Sequence, residues 1–205
     1  MTLFIDFDDP ALWSKINNLP PYKGYCIFID IVGSTQMKSK ALSEWVRLIK
    51  NTFANCQGFF MLHPPLKSIG DELMFYISED RLHETHETAL NLFAYLASVA
   101  TEDDGRNFCK VKIAAAYCDH AYNITFIRGV SDVYGIDIDL TGRLKSGLSE
   151  GEIVMNEAFY MKIREAYDPI ANKEQFCEVE HIVGPIMQHF KGIPDPVNTY
   201  KLPRG

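Results

Sequence analysis

Apolar positions along the chain fall into runs with two periods. Residues 24–31, "GYCIFIDI", are almost continuously apolar and predict a buried strand. Over residues 37–55 the period lengthens, with Leu42, Trp45, Val46, Ile49 and Phe53 on one face of a helix. Residues 58–78, "GFFMLHPPLKSIGDELMFYIS", read as a short strand, a Pro-Pro break, and two strands about a Gly70-Asp71 turn. A second helix over 80–101 carries Leu82, Leu90, Phe93, Leu96 and Val99, and strands follow over 109–118 and 122–129. Residues 139–147, "DLTGRLKSG", sit on a helix that stops at Gly147. A short helix over 155–165 and strands near 176–182 and 186–202 close the chain. The order βαββαβ with extra C-terminal strands predicts an α+β, ferredoxin-like sheet with helices on one face. With no repeat, linker or low-complexity tract, residues 1–205 read as one domain.

Composition narrows the function classes. A net charge of −7 argues against nucleic acid or a membrane surface as the main partner, since both call for a positive field. Any phosphorylated ligand must then be met by local lysines or by metal. No run reaches the length of a membrane span and no signal peptide opens the chain, so the expected location is cytoplasmic. The cysteines, Cys26, Cys56, Cys109, Cys118 and Cys177, are odd in number and lack a CxxC pair, as reduced core thiols would be. Phe59, Phe60, Phe75 and Tyr76 read as core or dimer interface. "HETHE" at 83–87 spaces His83 and His86 for a solvated helix face rather than for zinc, and His120, His181 and His189 have no nameable partner.

Three stretches carry chemistry. Asp30 ends a buried strand, where a carboxylate is costly unless paired, capped or metal-bound. Gly33-Ser34-Thr35 follows, offering backbone N–H groups at a helix start for phosphate. Asp71 lies in the turn of "LKSIGDELMFYI", a place where Asp and Gly also serve as plain hairpin residues. If that hairpin lies beside the first strand, Asp30 and Asp71 face each other, and oxygen-only ligation suits Mg²⁺ or Mn²⁺. In "SDVYGIDIDLTGRLKSG", residues 131–147, Arg143 stands four after Asp139 and could simply pair with it on a helix.

Together these stretches resemble the class III nucleotidyl cyclases, the adenylate and guanylate cyclase catalytic domain, over residues 24–202. The resemblance implies two divalent cations, Mg²⁺ or Mn²⁺, on Asp30, the backbone of Ile31, and Asp71. It makes Lys67 and Asp132 the base-reading residues, Arg143 the transition-state arginine, and Gly33, Ser34, Thr35 and Lys191 (in "FKGIPDPVNTYKL") contacts to the triphosphate. It implies a head-to-tail homodimer in which the metal acids of one subunit meet Lys67, Asp132 and Arg143 of the other. Two features depart from the family pattern: Asp139 stands where the family has a ribose-orienting asparagine, and "AAAYCDH" lacks its small-His-small-Gly sequence. A donor, Lys67, beside an acceptor, Asp132, suits the amine edge of adenine or cytosine. With no regulatory segment in evidence, the chain is similar to the stand-alone pyrimidine cyclases of bacterial antiphage systems, which make cyclic CMP or cyclic UMP for a separate effector protein. The expectation is therefore a cyclase acting on CTP or UTP, with an adenylate cyclase making cyclic AMP as the alternative. A catalytically silent cyclase-like domain that binds nucleotide or only dimerises is the rival from another class.

Overall fold

The computed structural model describes residues 2–102 and 106–204. Its strands are β1 (Leu3–Phe4), β2 (Gly24–Ile31), β3 (Lys67–Ile69), β4 (Glu72–Ser78), β5 (Val111–Cys118), β6 (Ile124–Thr125), β7 (Ile153–Asn156), β8 (Val183–Gln188) and β9 (Val197–Leu202). The helices are α1 (Leu12–Asn17), α2 (Ser34–Lys40), α3 (Leu42–Phe59), α4 (Glu79–Glu84), α5 (Ala89–Thr101), α6 (Ile136–Leu144) and α7 (Glu157–Tyr167), with a 3-10 helix over Glu174–His181. Seven strands form one sheet in the order β3-β4-β2-β5-β7-β9-β8. Within it, β3-β4-β2-β5 is the strand order of a ferredoxin-like βαββαβ unit, and β7, β9 and β8 extend it, so the expected α+β class holds.

β2 is central because both of its neighbours bury it: β4 and β5 run antiparallel on either side, and every β2 residue except Asp30 is buried. Its odd-numbered side chains, Tyr25, Ile27, Ile29 and Ile31, enter the larger core with Leu48, Leu90, Phe93, Leu96 and Phe159 from α3, α5 and α7. Its even-numbered side chains, Cys26 and Phe28, lie in a second core with Ala114, Ala116, Cys118, Leu140 and Leu144. The expectation of helices on one face therefore holds for α3, α5 and α7, whereas α6 covers the other face. Three alanine and cysteine positions on β5 make that possible, since small side chains let a helix approach the sheet closely.

Element boundaries differ from the periodicity reading in ways that packing explains. The helix expected over 37–55 is two, α2 and α3, broken at Ala41, which is extended at φ −156°. The buried face of α3 is Leu48, Thr52 and Cys56, while Leu42 and Val46 are 63% and 50% exposed. Thr52 takes a core position because its hydroxyl accepts the Cys109 N–H at 2.7 Å, a pairing that an apolar count overlooks. The helix expected over 80–101 breaks before Thr88, which starts α5 with a reciprocal capping box to Asn91. Phe59–Leu62 is the end of α3 and a turn rather than a strand. In place of the strand expected near 176–182 a 3-10 helix ends at His181, 186–202 split into β8 and β9, and of 122–129 Ile124–Thr125 pair with β1 while Tyr122 makes an isolated bridge to Tyr134. β7 is an addition: Ile153–Asn156 is fully buried between β5 and β9, and its shortness hid it in the reading of a helix over 155–165.

Candidate active site

The β3–β4 hairpin positions one acid against the other. Ile69 pairs with Glu72, so Gly70-Asp71 is a two-residue loop, and Gly70 takes the positive φ of 65° that the turn needs. Across the sheet Glu72 is the register partner of Asp30, which brings Asp71 to the same corner one residue further on. Asp30 is also opposite Lys112 on β5, with Oδ2 3.4 Å from its Nζ. Asp71 lies 3.9 Å from Lys38 Nζ on α2, and that ammonium sits over the Trp45 ring at 4.6 Å. Glu72, buried, receives Lys145 from the end of α6. Burial pushes the Lys145 ammonium below the ordinary lysine range, and the charges of Asp30 and Asp71 offset that only in part.

A second cluster forms on the same face of the sheet. Lys67, opposite Met74, donates to Asp132 Oδ1 at 2.6 Å, joining residues 65 positions apart. The Asp132 carboxylate also accepts its neighbour's amide, Val133 N, at 2.9 Å. Tyr134 closes the cluster, with Lys67 Nζ 5.9 Å from its ring centroid and Phe126 edge-on to it at 5.5 Å. Partial burial and then the adjacent Asp132 carboxylate push the Tyr134 phenol up. An antiparallel bridge between Tyr122 and Tyr134 ties this loop to the body. Gly135 is required next to it: a Cβ there would stand 2.1 Å from the His120 carbonyl oxygen.

Arg143 lies on α6, and its Nη1 donates to the backbone carbonyl of Asp139 at 2.9 Å. The expected i, i+4 contact is thus made to the main chain, which leaves the exposed Asp139 carboxylate outside it. The β8–β9 loop passes close by, since a Cβ built on Gly192 would be 3.4 Å from Arg143 Nη2, and Lys191 is its exposed neighbour. Gly33 is the left-handed residue before α2, with φ 72°. Gly33 and Thr35 are exposed, but Ser34 is buried and its hydroxyl accepts Trp45 Nε1–H at 2.8 Å. Ser34 therefore has its side chain committed to α3, leaving its backbone N–H as the group it can offer.

The structure thus brings together Asp30, Ile31 and Asp71 at one corner, Lys67 with Asp132 at the second cluster, and Arg143 with the Lys191 turn on α6's flank. What sequence reasoning missed at the corner is Glu72 and the three lysines, Lys38, Lys112 and Lys145, on its acids; the available signs were the Glu72 of "GDE" and the Lys145 of "RLK", two residues past Arg143. His63 was also missed: it is buried with its ring nitrogen on Glu87, and Tyr95 donates to the same carboxylate at 2.6 Å. His83 and His86 lie at a helix end, as expected of surface residues. Cys26, Cys56, Cys109 and Cys118 are buried free thiols, and Cys177 is an exposed one.

No protein-family model matches the chain, and no curated protein matches its sequence. Solved structures do match its shape. A Trypanosoma brucei adenylate cyclase described in its monomeric state superposes with a TM-score of 0.67 at 14% identity, covering 91% of this chain and 92% of its own. The fold is that of class III cyclase catalytic domains. The adenylyl cyclase CyaB from P. aeruginosa gives 0.65 at 18% identity, covering 89% and 95%. The guanylate cyclase domain of RhGC from Catenaria anguillulae, solved in complex with GTP, gives 0.62 at 12% identity, covering 89% and 97%. Among the described residues no helix is long and apolar enough to cross a membrane.

Hard-cation chemistry fits the Asp30 corner. The donors it offers among the described residues are the carboxylate oxygens of Asp30 and Asp71, and oxygen donors of this kind suit Mg²⁺ or Mn²⁺. Three lysines have gathered on its acids, which marks it as a place that attracts positive charge.

Proposed function

We propose that the protein is a nucleotidyl cyclase that converts a nucleoside triphosphate to its 3′,5′-cyclic monophosphate and pyrophosphate. The observation that carries this reading is the Lys67–Asp132 pair on the same sheet face as the Asp30–Asp71 corner, within a class III cyclase fold. Asp30, Asp71 and the Ile31 carbonyl would hold divalent cations. Bound there, such cations supply Lewis-acid charge that acidifies the ribose 3′-hydroxyl and neutralises the triphosphate. The 3′-oxygen forms a bond to the α-phosphorus as the bond to the bridging oxygen of pyrophosphate breaks. Arg143 stabilises the charge that grows on the phosphorus, and acting there it raises kcat more than it lowers KM. Backbone N–H groups at Gly33, Ser34 and Thr35, and Lys191 beside Arg143, bind triphosphate oxygens. Asp139 takes the ribose position, where its carboxylate accepts a hydroxyl. Composite sites in a homodimer, with the metal acids from one subunit and Lys67, Asp132 and Arg143 from the other, complete the reading.

The base is read by one donor and one acceptor, Lys67 and Asp132, which match the amine-bearing edge of cytosine and of adenine alike. What supports the smaller base is the likeness to stand-alone pyrimidine cyclases drawn from the sequence, and pocket length beside Lys67, where Tyr134 has its ring centroid 5.9 Å from Nζ, is what would separate the two bases. We therefore place CTP or UTP first and ATP second, the product serving as a messenger for a separate effector, as in antiviral signalling. Incubation with each of the four triphosphates and Mn²⁺, followed by chromatography, tests both levels. A cyclic pyrimidine nucleotide supports the full proposal, and a product that is almost wholly cyclic AMP corrects the base. No cyclic product from any of them leaves the silent, nucleotide-binding alternative.

A further inference from the structure

The Asp30 corner carries its own counter-charges. Among the described residues, Asp30 meets Lys112 at 3.4 Å, Asp71 meets Lys38 at 3.9 Å, and Glu72 meets Lys145, so three carboxylates face three ammoniums. The most sheltered of these pairs is Lys145–Glu72, whose side chains are 26% and 8% exposed. Lys145 caps the C-terminal end of α6, two residues after Arg143, and its ammonium stands 5.4 Å from the Phe28 ring centroid. Charges held this far from water interact more strongly, and are less screened by salt, than surface pairs.

We propose that Lys145 is an internal counter-cation of the carboxylate corner, so that a divalent cation and a polyphosphate enter together rather than one before the other. This rests on the metal reading of Asp30 and Asp71. A divalent cation arriving alone meets a corner whose formal charge is already balanced, and it must also displace or tolerate a nearby ammonium. A polyphosphate supplies the missing negative charge: it draws the lysines toward its own oxygens and leaves the carboxylates to the cation. Each ligand then raises the other's affinity by the same factor, as linkage requires. Lys145 is a positioning residue here, acting through Glu72 and the corner's charge.

The test is direct Mn²⁺ binding, read from the electron paramagnetic resonance signal of free Mn²⁺, with and without inorganic pyrophosphate. Wild-type protein is expected to bind Mn²⁺ weakly alone and far more tightly with pyrophosphate. Lys145→Gln should bind Mn²⁺ alone about tenfold more tightly, with a smaller gain from pyrophosphate. Lys145→Met, which keeps an apolar stem beside Phe28, provides the same reading if the glutamine variant fails to fold. Adding Asp71→Asn to either variant should remove the tight binding. Unchanged Mn²⁺ affinity in the Lys145 variants, with Asp71→Asn still weakening it, overturns the counter-cation and leaves the metal site standing. Mn²⁺ binding that ignores Asp71→Asn in every background overturns the metal site itself, and this proposal with it.

Discussion

The two faces of β2 and β5 are built from opposite materials. On one face Tyr25, Ile27, Ile29, Ile31, Ile113 and Tyr117 meet Leu90, Phe93, Leu96 and Phe159 from α5 and α7, a large apolar core. On the other, Cys26, Ala114, Ala116 and Cys118 lie under α6, and the face opens at its end onto Asp30 and Lys112. The first face removes as much apolar area from water as the strands allow, each fully buried isoleucine or phenylalanine contributing about 1.5–3 kcal/mol. The second gives up side-chain volume, α6 packs close against it, and Lys145 at the end of that helix reaches Glu72. The strands thus separate the larger apolar core from the charged end of the other face by side-chain parity, because neighbouring residues of a strand point to opposite faces.

That separation can be broken experimentally, and the largest effect is expected at the chemical face. Asp30→Ala or Asp71→Ala should lower cyclisation by about a thousandfold or more, the size of losing a cation's share of the barrier. Thermal unfolding should be nearly unchanged, since neither side chain is part of an apolar core. Near-normal turnover under Mn²⁺ in either variant would remove the metal assignment. On the stability face, Phe159→Ala should cost about 3–5 kcal/mol in urea unfolding, while the variant that remains folded keeps the wild-type choice of nucleotide. A shift in that choice would mean that the two faces are coupled.

Arg143→Ala comes next, with kcat reduced by about a hundredfold and KM little changed. Mixing that chain with Asp30→Ala should restore part of the activity, because a heterodimer regains one intact composite site. Mixtures that stay inactive despite verified subunit exchange would place the site within one chain. Smaller still is the effect on selectivity. Lys67→Ala and Asp132→Ala each leave a polar partner unmatched and should cut discrimination among triphosphates by about tenfold or more. Competition among the four at equal concentration measures it, and unchanged selectivity would remove this pair from base reading. The mildest probe is thiol labelling at pH 8. Burial pushes the Cys56 thiol up to about 12, so it stays protonated and shielded, whereas exposed Cys177 should react first. Rapid labelling of more than one thiol in the folded protein would contradict the buried placement of the other four.

Local patterns were enough for the parts whose cause is local. The apolar run of β2, the Gly70-Asp71 hairpin and the buried face of Leu90, Phe93, Leu96 and Val99 follow from period and turn chemistry and are present, while Leu82, expected on the same helix, is buried from α4 instead. The α3 face was misjudged because a threonine, Thr52, holds a core position through a hydrogen bond to a residue 57 positions away. β7 escaped because four residues carry too little periodicity to be told from the helix that follows. The order of motifs along the chain was legible, which is why the cyclase resemblance could be drawn before any fold was in hand.

By itself, then, the sequence determined the βαββαβ order, the strand-end and turn positions of Asp30 and Asp71, and the apolar face of α5, all properties carried within a few neighbouring residues. Only the tertiary structure decided which charges meet. That Lys67 reaches Asp132 across 65 residues, that Glu72 rather than Asp30 receives Lys145, and that Ser34 is spent on Trp45 depend on strand register and on the packing of α6 against small side chains. The physical reason is range: periodicity and turn preference act over a few bonds, whereas an ion pair or a buried hydrogen bond requires two distant segments to be brought within about 3 Å.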